Sequence, residues 1–133
     1  MAKLLAACLA LAAVSLLLPS EPSYDPFAWL VWGREIAHGH LDTTGGSSWK
    51  PLPVVFTTVF SFAGEAAPAL WLVASRAGAL LAVAMAGRLA ARWCDCRLRW
   101  LAGLTAAAGL LIVHEYLRRS AVGNVEPLMV GLG

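Results

Sequence analysis

A chain of 133 residues with 59% hydrophobic and only 14% charged residues, and a mean hydropathy of +0.70, is too apolar for a soluble domain of its size and reads as an integral membrane protein. Its formal charge is only +2, and the 10 Lys and Arg lie mostly in short clusters beside apolar runs, which suits the setting of membrane topology and argues against nucleic acid as a partner. Of the 3 cysteines, Cys8 sits in an apolar run, and Cys94 and Cys96 read as reduced thiols on the cytoplasmic side, since their spacing fits neither a disulfide framework nor a usual zinc site.

Lys3 followed by the uncharged run Leu4 to Leu18 resembles a signal peptide and a first transmembrane helix alike. No small-x-small cleavage site follows the run, so an uncleaved span over 4–18 is expected. It rises only ~22 Å, which leaves its flanks near the interfaces of a ~30 Å core. Pro19, Pro22 and Pro26 break the chain, and Asp25-Pro26 has the form of a helix start, predicting a helix from Pro26 to about His38 with Gly39 as its stop. Phe27, Trp29, Leu30, Val31, Trp32 and Ile36 give that helix a wide apolar face, suited to lying along a membrane surface. The polar run Asp42 to Ser48, with Gly45 and Gly46 adjacent, is suited to closing over something or wrapping a phosphate, and is also what any surface loop looks like.

Lys50-Pro51-Leu52-Pro53 opens an apolar stretch to Ala63 that is about half of what a span needs. Pro68 to Trp93 is long enough. Lys3 and the cluster Arg88, Arg92, Arg97 and Arg99 both mark cytoplasmic ends, so an even number of crossings separates them and the stretch around 52–63 is a juxtamembrane or re-entrant helix on the outer side. Arg76 in the second span either snorkels to the interface, faces the bundle or helps to hold a phosphate. A cytoplasmic loop over 94–99, a short span over 100–113, an outer loop over 114–126 and the start of a fourth span over 127–133 complete the expected order. The fold class is all-α, a polytopic membrane protein, and a chain ending inside an apolar segment reads as a fragment of a longer product.

On this topology Asp25, Glu35, His38, His40, Asp42, Lys50, Arg118, Arg119 and Glu126 share the outer face. A carboxylate among them could serve as general base toward an acceptor hydroxyl while Lys and Arg hold a phosphate leaving group. Each also has a plainer role: Asp25 as a helix cap, Glu126 beside a helix dipole, Lys50 at headgroups, Arg118 and Arg119 on anionic lipid. His38, Gly39, His40 and Asp42 read as a solvated helix end more readily than a metal site.

The order of these features resembles the N-terminal part of GT-C membrane glycosyltransferases, the superfamily of protein O-mannosyltransferases and lipid A aminoarabinose transferases. The residues that carry the resemblance are the span over 4–18, Asp25 early in a long outer loop, the juxtamembrane helix 26–38, Lys50-Pro51-Leu52-Pro53, the span 68–93 ending in arginines, and Arg119 with Glu126 in the second outer loop. The resemblance implies transfer of a sugar from a polyprenyl-phosphate donor to an acceptor at the outer face of a bacterial plasma membrane, with the N-terminus cytoplasmic. It implies Asp25 as catalytic base, Glu126 in acceptor or metal binding, and Lys50, Arg118 and Arg119 on the donor phosphate. The cofactor stays open, a divalent metal being compatible. The competing expectation is a non-catalytic membrane protein, a transporter fragment or accessory subunit, that binds lipid or a partner.

Overall fold

A computed structural model describes residues 1–94 and 97–132 of the chain. The described residues are helical, without a strand: α1 (Ala2–Val14), α2 (Tyr24–Ala37), α3 (Pro51–Ser61), α4 (Ala67–Trp93), α5 (Arg99–Ile112), α6 (His114–Ala121) and α7 (Val125–Leu132), with single 3-10 turns at Ser15–Leu17 and Gly64–Ala66. The all-α class is therefore observed. Cys94 takes part in a disulfide, which corrects the expectation of a reduced thiol there. Cys96, expected to be reduced as well, lies outside the described residues, and Cys8 is free and buried.

The central element is α4, 27 residues rich in Ala and Leu with no proline beyond its first turn, so that nothing interrupts its hydrogen-bond ladder over ~40 Å. Together with the preceding turn it forms, among the described residues, the one unbroken helix, Gly64–Trp93, that is long and apolar enough to cross a membrane, at a mean hydropathy of 1.8 over its best window. The other expected spans are shorter. Ala2–Leu17 falls below that length, and α5 ends at Ile112 where the chain bends by 69° into α6.

Against α4 pack α1, α5, α7 and the lower part of α3. Cys8 and Ala12 of α1 bury against Ala77, with Leu80 and Leu81 beside them, and Ser15 at the end of α1 meets Arg76, so α1 runs antiparallel to α4. Between α4 and α5 the two backbones touch at glycines: a Cβ on Gly87 would stand 3.0 Å from the Gly103 carbonyl oxygen, and one on Gly103 2.8 Å from that of Gly87. Such small-residue crossings let helices approach where there is no hydrophobic drive between them.

A second layer sits on the N-terminal end of α4. Helices α2 and α3 form a hairpin whose contact is set by Gly33, since a Cβ there would lie 2.5 Å from the Thr57 backbone. The Thr57 hydroxyl, fully buried, donates to the Trp29 carbonyl at 2.6 Å. Trp29, Trp32, Val54, Trp71 and Val125 form the core of this layer, with Trp29 and Trp71 edge to face at 5.9 Å between centroids. Most of the tryptophan face expected to lie on a membrane is thus spent inside the protein, because α3, α4 and the 40–50 strap offer it partners first. Phe27 and Tyr24 on the same helix remain exposed.

The limits of the expected helices are met within about a turn, while α6 (His114–Ala121) is a helix inside the expected outer loop over 114–126. α2 starts at Tyr24 with Ser23 as N-cap and Asp25 inside the first turn, two residues before the predicted start at Pro26. It ends as predicted, with Gly39 at φ 72°, a left-handed stop that needs no Cβ. The 42–48 loop closes over the protein's own rings: the indole N–H of Trp32 donates to the Asp42 carbonyl at 3.1 Å and that of Trp29 to the Ser48 carbonyl at 3.4 Å.

Arg76 does not snorkel. It is 92% buried, being 8% exposed, and its guanidinium ties the end of α1 to the end of α6, donating to the Ser15 carbonyl (3.2 Å) and hydroxyl (2.8 Å) and to the Ala121 carbonyl (2.7 Å). The Ala121 carbonyl is of the kind that a helix end leaves without an intrahelical partner, and the Ser15 carbonyl also accepts from the Leu18 amide at 3.2 Å.

Candidate functional site

The turn between α6 and α7 organises the polar site. Gly123, at φ 81°, reverses the chain so that its carbonyl accepts from the Trp71 indole N–H at 2.8 Å, and the Asn124 carbonyl accepts from the Ser75 hydroxyl at 2.9 Å. The turn is therefore fastened to α4. It in turn fixes the start of α2: the Ser23 amide donates to the Val122 carbonyl at 3.0 Å, and the Ser23 hydroxyl to Asn124 Oδ1 at 3.3 Å. Segments a hundred residues apart in sequence are joined by these two bonds.

Between them lies a cavity of about 440 Å³ lined by Ser23, Tyr24, Asp25, Glu115, Arg118, Arg119, Val122, Asn124 and Glu126. Four of the five site residues expected from sequence, Asp25, Arg118, Arg119 and Glu126, stand on this one wall. The fifth, Lys50, adjoins it: its Nζ is 3.4 Å from Glu126 Oε1 and 5.3 Å from the centroid of the Trp29 ring. Lys50 reaches that position because the extended residue 50 caps α3 just before Pro51.

The charges form a chain. Glu115 receives Arg118 at 3.3 Å and Arg119 at 3.4 Å, and Arg119 also approaches Glu126 at 3.9 Å. All of these side chains are between 34% and 68% exposed. Pairs in such settings contribute well under ~1 kcal/mol each to stability, so the cluster matters for the potential it sets up rather than for holding the fold. Three cations face two paired carboxylates, and Asp25 stands apart, half-buried, with no hydrogen bond or ion pair among the described residues. Asp25 is not the helix cap that its position before Pro26 suggested; α2 has no side-chain cap.

Sequence reasoning missed Glu115, the residue that spaces the two arginines. Its signal was present, because Glu at i with Arg at i+3 and i+4 places all three on one helix face. Tyr24 and Asn124 had no comparable signal.

The other polar residues expected on the outer face belong elsewhere. Glu35, His38 and Asp42 gather at the opposite end of α2, ~15 Å along its axis from Asp25. There Asp42 accepts from the Thr44 amide (2.9 Å) and hydroxyl (2.6 Å), donors that hold its carboxyl below the usual 3.8. The His38 ring donates through Nδ1 to the Arg34 carbonyl at 2.7 Å. Among the described residues no group of three or more His, Cys, Asp or Glu is placed to hold a metal ion, and in the cavity Glu115 and Glu126 are engaged by cations. The described residues that line the cavity do not fit a resident divalent metal.

The arrangement sets three cations, shared with two paired carboxylates, beside an uncommitted carboxylate in a cleft at one end of the helical bundle. Such a pair can hold an anionic group and accept a proton from a neutral nucleophile next to it. Comparison with known proteins finds no family model, curated protein or solved structure that matches the chain.

Proposed function

We propose that the chain is the N-terminal, membrane-embedded part of a GT-C type glycosyltransferase in a bacterial plasma membrane, multi-pass, with its N-terminus in the cytoplasm. In this reading it contributes to transfer of a sugar from a polyprenyl-phosphate donor to an acceptor at the outer face. Asp25 is the general base toward the acceptor hydroxyl, Arg118, Arg119 and Lys50 hold the donor phosphate, and Glu126 orients Lys50 and Arg119. The observation that carries the reading is the convergence of Asp25 with these cations at one cavity from three separate stretches of sequence.

Membrane embedding is supported by the apolar surface. Leu5, Leu9, Leu11, Val14 and Leu17 of the first helical segment, with Leu18 after it, are 41–85% exposed, a run of exposed large apolar side chains of the kind that marks a membrane or interaction surface. The arginines Arg88, Arg92, Arg97 and Arg99 are exposed at the opposite end from the cavity, as the positive-inside rule requires of a cytoplasmic face.

The test is Asp25→Asn in the full-length transferase, assayed with a prenyl-phosphate sugar. Loss of a positioned base lowers transfer by about 10²–10⁴-fold with membrane insertion unchanged. Retained activity would remove Asp25 as base and favour a non-catalytic, lipid- or partner-binding protein.

A further inference from the structure

On the other face of α6 from the polar cavity lies a groove of about 370 Å³, walled by Leu11 of α1, Leu80 and Val83 of α4, and Leu111 of α5, with Arg76 and Tyr116 at its upper end. The volume falls within the ~300–1,000 Å³ of sites that take small molecules. Leu11, Leu18 and Leu111 at its margins are 60%, 69% and 42% exposed, so the groove opens sideways onto the apolar belt and not toward the polar end.

The groove contains an unbalanced charge. Arg76 is 92% buried, being 8% exposed, and no carboxylate among the described residues pairs with it. A guanidinium has five N–H groups. Three serve Ser15 and Ala121; Nε has no acceptor, and one hydrogen on Nη2 is likewise uncommitted. A buried cation left without an anion is costly, and more so in a membrane. Along α4 Arg76 is followed by the uncharged stretch Ala77 to Gly87, which rises only ~16 Å, about half of a ~30 Å hydrocarbon core, so Arg76 lies within the span Gly64–Trp93 and not at its end.

We propose that this groove binds an anionic glycerophospholipid of the surrounding bilayer, its phosphate facing the Arg76 guanidinium and one acyl chain lying along Leu11, Leu80, Val83 and Leu111. The lipid supplies the missing counter-charge and fills the space between α1, α4 and α5, and so staples the short α1 to the bundle. Charge decides the occupant: a zwitterionic headgroup brings its own cation to the guanidinium and a neutral chain brings no anion. The inference rests on the membrane half of the reading above and is independent of the sugar chemistry.

The experiment uses the chain purified from membranes in a mild non-ionic detergent, with bound lipid counted by mass spectrometry after repeated detergent exchange and with phosphatidylglycerol or phosphatidylethanolamine added back. Phosphatidylglycerol is expected to remain bound and to raise the melting temperature, phosphatidylethanolamine to do neither. Arg76→Gln lowers retention by about tenfold or more, the scale of one lost charge-assisted contact. Because that variant also loosens the α1–α6 clamp, Val83→Trp provides the second arm: it blocks the chain path, leaves every Arg76 bond in place, and abolishes retention at unchanged helicity. Equal retention of both lipids, full retention in Val83→Trp, or a prenyl phosphate bound in place of the phospholipid overturns the proposal while leaving membrane insertion standing. A chain absent from the membrane fraction overturns both.

Discussion

Gly33 is the position at which the model of a two-layer protein is most exposed to test. A methyl group placed there meets the Thr57 carbonyl carbon and hydroxyl at 2.5 Å and the Thr58 amide nitrogen at 2.6 Å, about 1 Å short of ordinary contact. The obstacle is mostly backbone in the middle of α3, so no side-chain rotation relieves it, and Gly33→Ala has to push α2 and α3 apart. Overpacking of this kind costs about 1–3 kcal/mol. The displacement also lengthens the buried 2.6 Å bond from the Thr57 hydroxyl to the Trp29 carbonyl, whose loss adds about 1 kcal/mol. A total of roughly 2–4 kcal/mol is a large share of a stability of ~5–15 kcal/mol and lowers the melting temperature by about 10 °C. The assay is thermal unfolding in detergent followed by tryptophan emission, which reports the opening of the buried Trp29, Trp32 and Trp71. Gly109→Ala is the matched control, since nothing lies within 4 Å of a Cβ there and the same exchange in a free helix position stabilises by about 0.5–1 kcal/mol. A Gly33→Ala protein that melts with the wild type, or above it, would refute the close α2–α3 contact and with it the mutual placement of Asp25 and Lys50.

Gly103→Leu is expected to part α4 from α5, with a melting temperature lowered by an overpacking cost of about 1–3 kcal/mol or more; an unshifted melt would show that the glycines do not meet. Glu126→Gln removes the partner of Lys50 and Arg119 but, at half exposure, changes stability by less than ~1 kcal/mol, while binding of pyrophosphate, measured by calorimetry, tightens as the two cations are released. The 42–48 turn responds to acid in a defined direction. Asp42 is held below its ordinary value of 3.8 by the Thr44 donors, so the unfolded loop takes up a proton more readily than the folded one. The turn's stabilisation is complete above the unfolded value and is lost only as the pH falls through the lower folded one. The Thr44 amide resonance should stay in place down to about pH 4 and shift below it; a shift centred near neutrality would exclude the Asp42–Thr44 bond.

The helices were legible because their signals are local. Proline at 51 and 68, glycine at 39, and the uninterrupted Ala-Leu composition of α4 act within a few residues of where they stand, whereas α6 and the turn at Gly123 lie inside what reads as a single outer loop over 114–126. The depth of α2 was not legible. Trp29 and Trp32 look alike as core residues and as interfacial anchors, for an indole suits both places, and only the presence of α3 at the far side of the thirteen-residue connection 38–50 decides between them. Arg76 was ambiguous for the same reason: its partners, Ser15 and Ala121, are 61 and 45 residues away, and neither carries a charge that would reveal it as one.

The polar site shows how far chemical type alone can carry and where it stops. The expected topology groups Asp25, Lys50, Arg118, Arg119 and Glu126 with Glu35, His38, His40 and Asp42 on one face, and only the resemblance to GT-C transferases singles out the five. Their contacts depended on a turn at Gly123 that brings Asn124 to Ser23 across 101 residues, and on α4 holding that turn through Trp71 and Ser75. These anchors are apolar-core and hydroxyl residues with no outward mark of function. It follows that the geometry of Asp25 is controlled from α4. Trp71→Phe removes the N–H that holds the Gly123 carbonyl and leaves that buried acceptor unsatisfied at a cost of about 1–3 kcal/mol, in addition to the cavity left by the smaller ring at a fully buried position. If the site is positioned as described, this variant alters the environment of Asp25 and Arg119 without touching either, and an unchanged exchange rate at the Asn124 amide, whose donor bond to the Arg119 carbonyl at 3.0 Å closes the same turn, would sink that account.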